Sequence, residues 1–162
     1  MDNCKCNQKK LLSVIFKNIS NNIDPCYAKY GDSGFDLRAW IDNDNKSITL
    51  KPLERALIRT GLFFEVPSNT EMQIRPRSGN ALNYGITVLN SPATIDEQYR
   101  GEICVVLINL SDKEFVVNNG DRIAQGVICP VFNSHEVSLV RVEEIDKNTD
   151  RGEGGFGHTG KI

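Results

Sequence analysis

The stretch Ile103-Cys-Val-Val-Leu-Ile-Asn-Leu-Ser-Asp-Lys-Glu-Phe-Val-Val-Asn-Asn-Gly-Asp-Arg-Ile-Ala-Gln-Gly-Val-Ile128 decides the fold class. It holds three short runs rich in Val, Ile, Leu and Phe, divided by Ser-Asp-Lys and by Asn-Asn-Gly-Asp, which are turn formers. Outward from it the same pattern recurs at residues 12–16, 47–50, 56–64, 72–75, 85–89, 103–110, 114–117, 122–132 and 137–142. The chain therefore reads as an all-β domain of many strands. Only residues 78–84 read as a short helix, entered from Pro76, whose ring sets the backbone direction. There is no internal repeat and no interdomain linker. The expected organisation is a flexible extension over 1–10, a β domain over 11–148 and a glycine-rich mobile segment over 149–162.

At 162 residues the chain fits one domain with a sizeable core and needs no disulfide or metal staple. A formal charge of −2 argues against a long nucleic-acid surface yet allows a local basic pocket, with Arg75, Arg77, Arg100, Arg122 and Arg151 near glycines or turns. The five cysteines are odd in number and scattered, which fits free thiols in a reducing compartment. Cys4 and Cys6 lack a second His or Cys pair spaced to complete a tetrahedral zinc site. The run 11–16 is too short for a signal-peptide core, and 103–110 falls far short of the ~20 residues of a membrane helix. A cytoplasmic location is expected, extended to the nucleus if the source is eukaryotic, with no membrane and no nucleic-acid partner.

Five segments carry chemistry, and each also has a plain structural reading. Arg75-Pro-Arg-Ser-Gly-Asn-Ala-Leu-Asn-Tyr-Gly-Ile86 sets two guanidinium groups, a hydroxyl and a glycine amide at a helix start, either an anion site or a helix capped by Ser78 with solvated arginines beside it. Leu89-Asn-Ser-Pro-Ala-Thr-Ile-Asp-Glu-Gln-Tyr-Arg-Gly-Glu-Ile103 reads as two strands around a bend bearing Asp96, Glu97 and Tyr99. Asp96 is there either a general base beside a water or a turn residue bonded to its own backbone, and Glu97 reads as solvated. In Asn119-Gly-Asp-Arg-Ile-Ala-Gln-Gly-Val-Ile128, the Gln125 amide is a core hydrogen bonder or a ligand contact. Ser33-Gly-Phe-Asp-Leu-Arg-Ala39 alternates as a half-buried strand on which Asp36 and Arg38 could form a surface pair. The tail Arg151-Gly-Glu-Gly-Gly-Phe-Gly-His-Thr-Gly160 reads as an unstructured terminus or as a lid over a charged aromatic ligand.

Together and in this order, these segments closely resemble the five motifs of the trimeric dUTP diphosphatase (dUTPase) family. Gly34-Phe-Asp-Leu-Arg-Ala39 matches the first motif, Pro76-Arg-Ser-Gly79 with Gly85-Ile86 the second, residues 90–101 the third, Gly120-Asp-Arg-Ile-Ala-Gln125 the fourth and 151–160 the fifth. The resemblance implies a jelly-roll-like β-barrel or sandwich that forms a homotrimer, with active sites shared between subunits. It implies Mg²⁺-dependent hydrolysis of dUTP to dUMP and pyrophosphate, which keeps uracil out of DNA and supplies the thymidylate precursor. On this resemblance Asp96 polarises the attacking water and Arg151 arrives with the tail as the second catalytic group. Substrate binding falls to Arg77, Ser78, Gly79, Asn90, Ile95, Tyr99, Gln125, Phe156, Gly157, His158 and Thr159. Tyr99 packs on the deoxyribose and excludes a 2′-hydroxyl, Asn90 reads the uracil edge, and Phe156 stacks on the base. Asp36 is a candidate contact to a metal-bound water, the Mg²⁺ being held otherwise by the substrate phosphates.

The chain departs from the family pattern at Ala93, where glycine is frequent, at Gln98, where a second acid is frequent, and at His158, where serine is frequent. None of these removes the proposed base. The rival readings are a dCTP deaminase, which shares the fold but works through a glutamate-centred site, and a non-catalytic nucleotide sensor. The presence of both Asp96 and Arg151 speaks against the sensor.

Overall fold

In this computed structural model the described residues are 11–156. They form eleven strands and one helix: β1 Ile15–Asn18, β2 Gly34–Arg38, β3 Ser47–Leu50, β4 Arg55–Arg59, β5 Leu62–Glu65, β6 Thr70–Arg75, α1 Ser78–Tyr84, β7 Ile86–Val88, β8 Ala93–Ile95, β9 Cys104–Asn109, β10 Phe115–Asn118 and β11 Arg122–Pro130. The all-β reading with one short helix holds. Strand pairing is antiparallel throughout, in sheets ordered β2-β11-β6-β8, β4-β9-β7, β1-β5 and β3-β10. The chain divides into two compact units, Met1–Phe132 and Asn133–Ile162, and all eleven strands belong to the first.

Period-two patterning decides which face turns inward. On β6, Thr70, Met72 and Ile74 are buried while Glu71, Gln73 and Arg75 occupy the other face. On β9, Val105 and Leu107 enter a core shared with Leu37, Leu50, Ile58 and Ile86. Asn109 continues that inward row and is fully buried. Its Nδ2 donates to the carbonyls of Leu50 at 2.9 Å and Lys113 at 2.7 Å, and its Oδ1 accepts from the Ser111 N–H at 2.9 Å and hydroxyl at 2.8 Å. Four hydrogen bonds thus explain a polar residue in the longest apolar run, since an unsatisfied buried amide costs about 1–3 kcal/mol.

Three segments differ from the sequence expectation. The apolar run 56–64 is two strands, because Gly61 takes a left-handed φ of 71° and turns the chain between β4 and β5. The first strand lies at Ile15–Asn18 rather than 12–16, in the register that sets Phe16 opposite Phe64 with ring centroids 5.9 Å apart. Residues 137–142 form no strand: Leu139 is 98% exposed and Val137, Val140 and Val142 are also open. Strand-like composition without a neighbouring ladder does not hold a strand.

The helix occupies Ser78–Tyr84 as expected, but its cap is Arg77, in extended backbone and without a side-chain cap hydrogen bond; Ser78 is already inside. Gly85 stops it with φ 66°, and its N–H returns to the Ala81 carbonyl at 3.1 Å.

Core packing leaves no room for a side chain at Gly126 on β11, where a Cβ would stand 2.7 Å from Phe35 Cζ and 3.2 Å from Met72 Sδ. Gly126→Ala is expected to destabilise the fold by about 1–3 kcal/mol through overpacking, read from urea denaturation midpoints. A variant as stable as the parent would show that Phe35 can step aside.

Candidate active site

The sheet β2-β11-β6-β8 collects the first four motif segments on neighbouring strands. Gln125 on β11 stands between Asp36 on β2 and Arg75 on β6. Asp36 does not pair with Arg38. Its Oδ1 accepts from Arg77 Nε at 2.7 Å and its Oδ2 from Arg122 Nη1 at 3.3 Å, while Arg38 Nη1 donates to the Gly120 carbonyl at 2.9 Å. The Gln125 Nε2 donates to the Pro76 carbonyl at 3.0 Å and so ties β11 to the segment entering the helix. Gly34 leaves room for that side chain, because a Cβ there would press into it. Ser78 and Gly79 open the helix on the exposed side, and a Cβ at Gly79 would meet nothing within 4 Å. Packing does not demand glycine there; close approach of a ligand to the backbone would. Beside the group lies an open depression of 380 Å³ whose wall includes Arg77, Arg122, Asn80 and Tyr84. Two guanidinium groups in one wall suit an anion.

The third segment forms a separate arrangement. Asn90 is exposed in the turn between β7 and β8, where the Ser91–Pro92 peptide is cis. Ile95 ends β8 half-buried against the core. Asp96 follows, exposed, in a turn closed by the Tyr99 N–H on the Asp96 carbonyl at 3.0 Å. The Tyr99 hydroxyl donates to the Glu102 carbonyl at 3.0 Å, so its ring folds back over Gly101, where any Cβ would enter the ring. Glu97 is not simply solvated: its carboxylate accepts from the Ser68 hydroxyl at 3.1 Å and the Asn69 N–H at 3.2 Å.

These two groups do not meet within one chain. Ile95 pairs with Met72, and Asp96 continues away from Arg77, which lies five residues past Met72 on the adjoining segment. Asp96 adds a sixth step, and at ~3.3 Å per residue the separation along the strand direction is roughly 20 Å.

In the second unit, Arg151 is exposed and its Nε donates to the Gly154 carbonyl at 2.9 Å. Gly152 turns the chain with φ 51°, its N–H bonded to the Thr149 carbonyl and hydroxyl, each at 3.0 Å. Phe156 is fully exposed. Gly157, His158 and Thr159 lie outside the described residues, as do Cys4 and Cys6.

Sequence reasoning missed Arg122 as an Asp36 partner and Asn80 and Tyr84 as wall residues. The Asp36 contacts span 41 and 86 positions, and no local pattern encodes them. Among the described residues no three His, Cys, Asp or Glu side chains gather as metal ligands, and both Asp36 oxygens are taken by arginines. This donor set fits a magnesium ion carried on phosphates rather than one caged by protein. Among those residues no helix is long and apolar enough to cross a membrane.

The dUTPase family model matches residues 20–160. A deoxyuridine 5′-triphosphate nucleotidohydrolase of Finegoldia magna is 50% identical over 149 residues, 92% of this chain and 99% of its own length. One from Cytophaga hutchinsonii is 49% identical over 161 residues, covering 99% of this chain and 100% of its own. The fold matches a solved dUTPase of Staphylococcus bacteriophage 80alpha with dUpNHpp, at TM-score 0.78 and 23% identity over 91% of this chain and 98% of that one. It also matches a dUTPase of phage phi11 of S. aureus, described for coordination of a structural Mg(II) ion, at TM-score 0.70 and 20% identity over 83% of this chain and 99% of that one. The chain belongs to the dUTPase family.

At the foot of the Asp96–Tyr99 turn stands Cys104, the first residue of β9. Burial pushes its thiol above the ordinary value of 9.0, and the Glu102 carboxylate adds to this against the opposing pull of Arg59. The thiol is therefore neutral at physiological pH, whereas the thiolate is the nucleophile. Alkylation by iodoacetamide at pH 8, followed by peptide mass spectrometry, is expected to label exposed Cys26 well before Cys104. Faster labelling of Cys104 would mean that β9 opens readily at that end.

Proposed function

We propose that Asp96 and Arg151 carry the hydrolysis of dUTP to dUMP and pyrophosphate that membership of this family assigns to the chain. The observation that carries this reading is the turn after β8, which presents an exposed carboxylate and a folded-back tyrosine ring within four residues of each other. The Asp96 carboxylate accepts a proton from water as the water oxygen bonds to the α-phosphorus. The bond from that phosphorus to the oxygen bridging the β-phosphate breaks, and pyrophosphate leaves with the electron pair. Arg151 lies against the phosphate oxygens as their charge redistributes, which is where a cation lowers the barrier.

Binding is divided in the same way. Arg77, aligned by Asp36, takes phosphate oxygens together with Ser78 and the Gly79 backbone, and Gln125 steadies the segment on which they stand. Tyr99 lies under the deoxyribose, Asn90 and Ile95 line the base pocket, and Phe156 covers the uracil. Gly157, His158 and Thr159 approach the γ-phosphate. Magnesium bound to the triphosphate would supply charge neutralisation, and Asp36, which aligns Arg77 and Arg122, would be the chain's candidate contact to a metal-bound water.

The roughly 20 Å between the Asp96 and Arg77 levels supports active sites shared in a homotrimer, one subunit giving the base and sugar side and another the phosphate side. The exposed apolar segment 137–142 fits the same reading, since a neighbouring subunit would give it a ladder. Residues 149–162 then act as the lid. The reaction belongs in the cytoplasm, beside the nucleotide pool it clears.

Pyrophosphate and ammonia release from dUTP, dCTP, dTTP and UTP, with and without Mg²⁺, tests the assignment. Pyrophosphate from dUTP alone is expected, and ammonia from dCTP would make the chain a deaminase. Asp96→Asn should lower kcat by roughly 10²–10⁴-fold with little change in dUTP affinity, and full activity would remove Asp96 from the mechanism. Deletion from Arg151 onward should leave a folded trimer with poor turnover, because a lid is separable from the core. Loss of the trimer on gel filtration would make the tail structural.

A further inference from the structure

The turn that presents Asp96 and Tyr99 is irregular, exposed and short, yet it is held at both ends by carboxylates that belong to it. At the front, Glu97 grips the Ser68 hydroxyl and the Asn69 N–H in the turn before β6. At the back, Glu102 reaches into the turn between β4 and β5. Its Oε1 accepts from the Gly61 N–H at 2.9 Å, and its two oxygens lie 3.2 and 2.9 Å from Arg59 Nε. The Glu102 side chain is 16% exposed against 49% for Arg59, so the carboxylate is the more enclosed partner.

The surface that receives Glu102 is rigid. Gly61 has φ 71°, and a Cβ there would stand 2.8 Å from Ser20 Cβ and 3.1 Å from the Trp40 ring. The Arg59 guanidinium lies 4.4 Å from the centre of the Trp40 ring, while the Trp40 N–H donates to the Arg59 carbonyl at 2.8 Å. Residues on both sides of Gly61 are bonded to Ile103: its N–H donates to the Leu62 carbonyl at 2.7 Å, and its carbonyl accepts the Thr60 hydroxyl at 2.6 Å. Glu102 therefore joins a fixed corner of the core to the Tyr99 hydroxyl, which donates to the Glu102 backbone carbonyl.

We propose that Glu102 is a positioning residue for sugar discrimination: its carboxylate, locked onto Gly61 and Arg59, fixes the carbonyl that tethers the Tyr99 hydroxyl and so sets the height of the ring beneath the sugar. The inference rests on the dUTP-hydrolysing reading and extends it to residues that touch neither substrate nor phosphate. A ring free to swing would admit the larger ribose. A tethered ring turns a modest steric difference into selection, because an apolar wall discriminates only as far as it cannot yield.

The test compares kcat/KM for dUTP and UTP in the parent, Glu102→Ala, Glu102→Gln and Tyr99→Phe. The parent's preference for dUTP is read first, and its absence would remove the underlying reading before any variant is compared. Given that preference, Glu102→Ala is expected to lower the dUTP-to-UTP ratio about tenfold or more, within the range that pocket shape alone commands. Glu102→Gln keeps an oxygen for the Gly61 N–H and should lose less than about threefold on the same scale. Tyr99→Phe retains the ring and removes only the tether, and its ratio should fall together with that of Glu102→Ala. Equal losses on both substrates with the ratio unchanged would make Glu102 merely structural and overturn the proposal. Should Glu102→Ala fail to fold, an unchanged ratio in Tyr99→Phe overturns it equally.

Discussion

Strand β11 is hydrogen-bonded along both edges, to β2 on one side and β6 on the other, and the first unit depends on that double pairing. A central strand cannot slip without turning its inward residues out of the core on two ladders at once. On it Gly126 faces Phe35 and Met72 with no room for a methyl group. The same strand carries Gln125, bonded to the Pro76 carbonyl, and Arg122, bonded to Asp36, so core register and the placing of these side chains are set by one element. An error in β11 would be felt in both.

Much of this was legible in the sequence. The runs around residues 47–50, 72–75 and 103–110 appear as strands because Gly, Pro, Asn and Asp clusters bound them, and Pro76 with Gly85 brackets the helix. The split of 56–64 was hidden because Gly61 is a single residue inside an apolar run, and its left-handed turn answers to packing against Ser20 and Trp40. Residues 137–142 carry strand composition, but composition does not say whether a partner strand is at hand.

At the candidate site the legible part was chemical type, and the hidden part was pairing. Asp36 read as a neighbour of Arg38, yet alternate strand residues share a face without having to touch, and arginines remote in sequence compete for the carboxylate. Glu97 read as solvated, and nothing local singled out Glu102, but both accept backbone N–H groups in adjacent turns. The family resemblance supplied roles for Asp96 and Tyr99, while the fold supplies the reason a flexible turn can hold them still.

Asn109 has a consequence for chemical ageing. Its amide nitrogen is the donor to two carbonyls inside the core. Deamidation replaces that nitrogen with oxygen and sets an acceptor against the two carbonyls, with a new buried negative charge whose Ser111 donors reach only the other oxygen. That exchange of a single group at this site would undo the corner where β3, β9 and the turn before β10 converge, so the burial that makes the residue indispensable also shields it from the water that would destroy it.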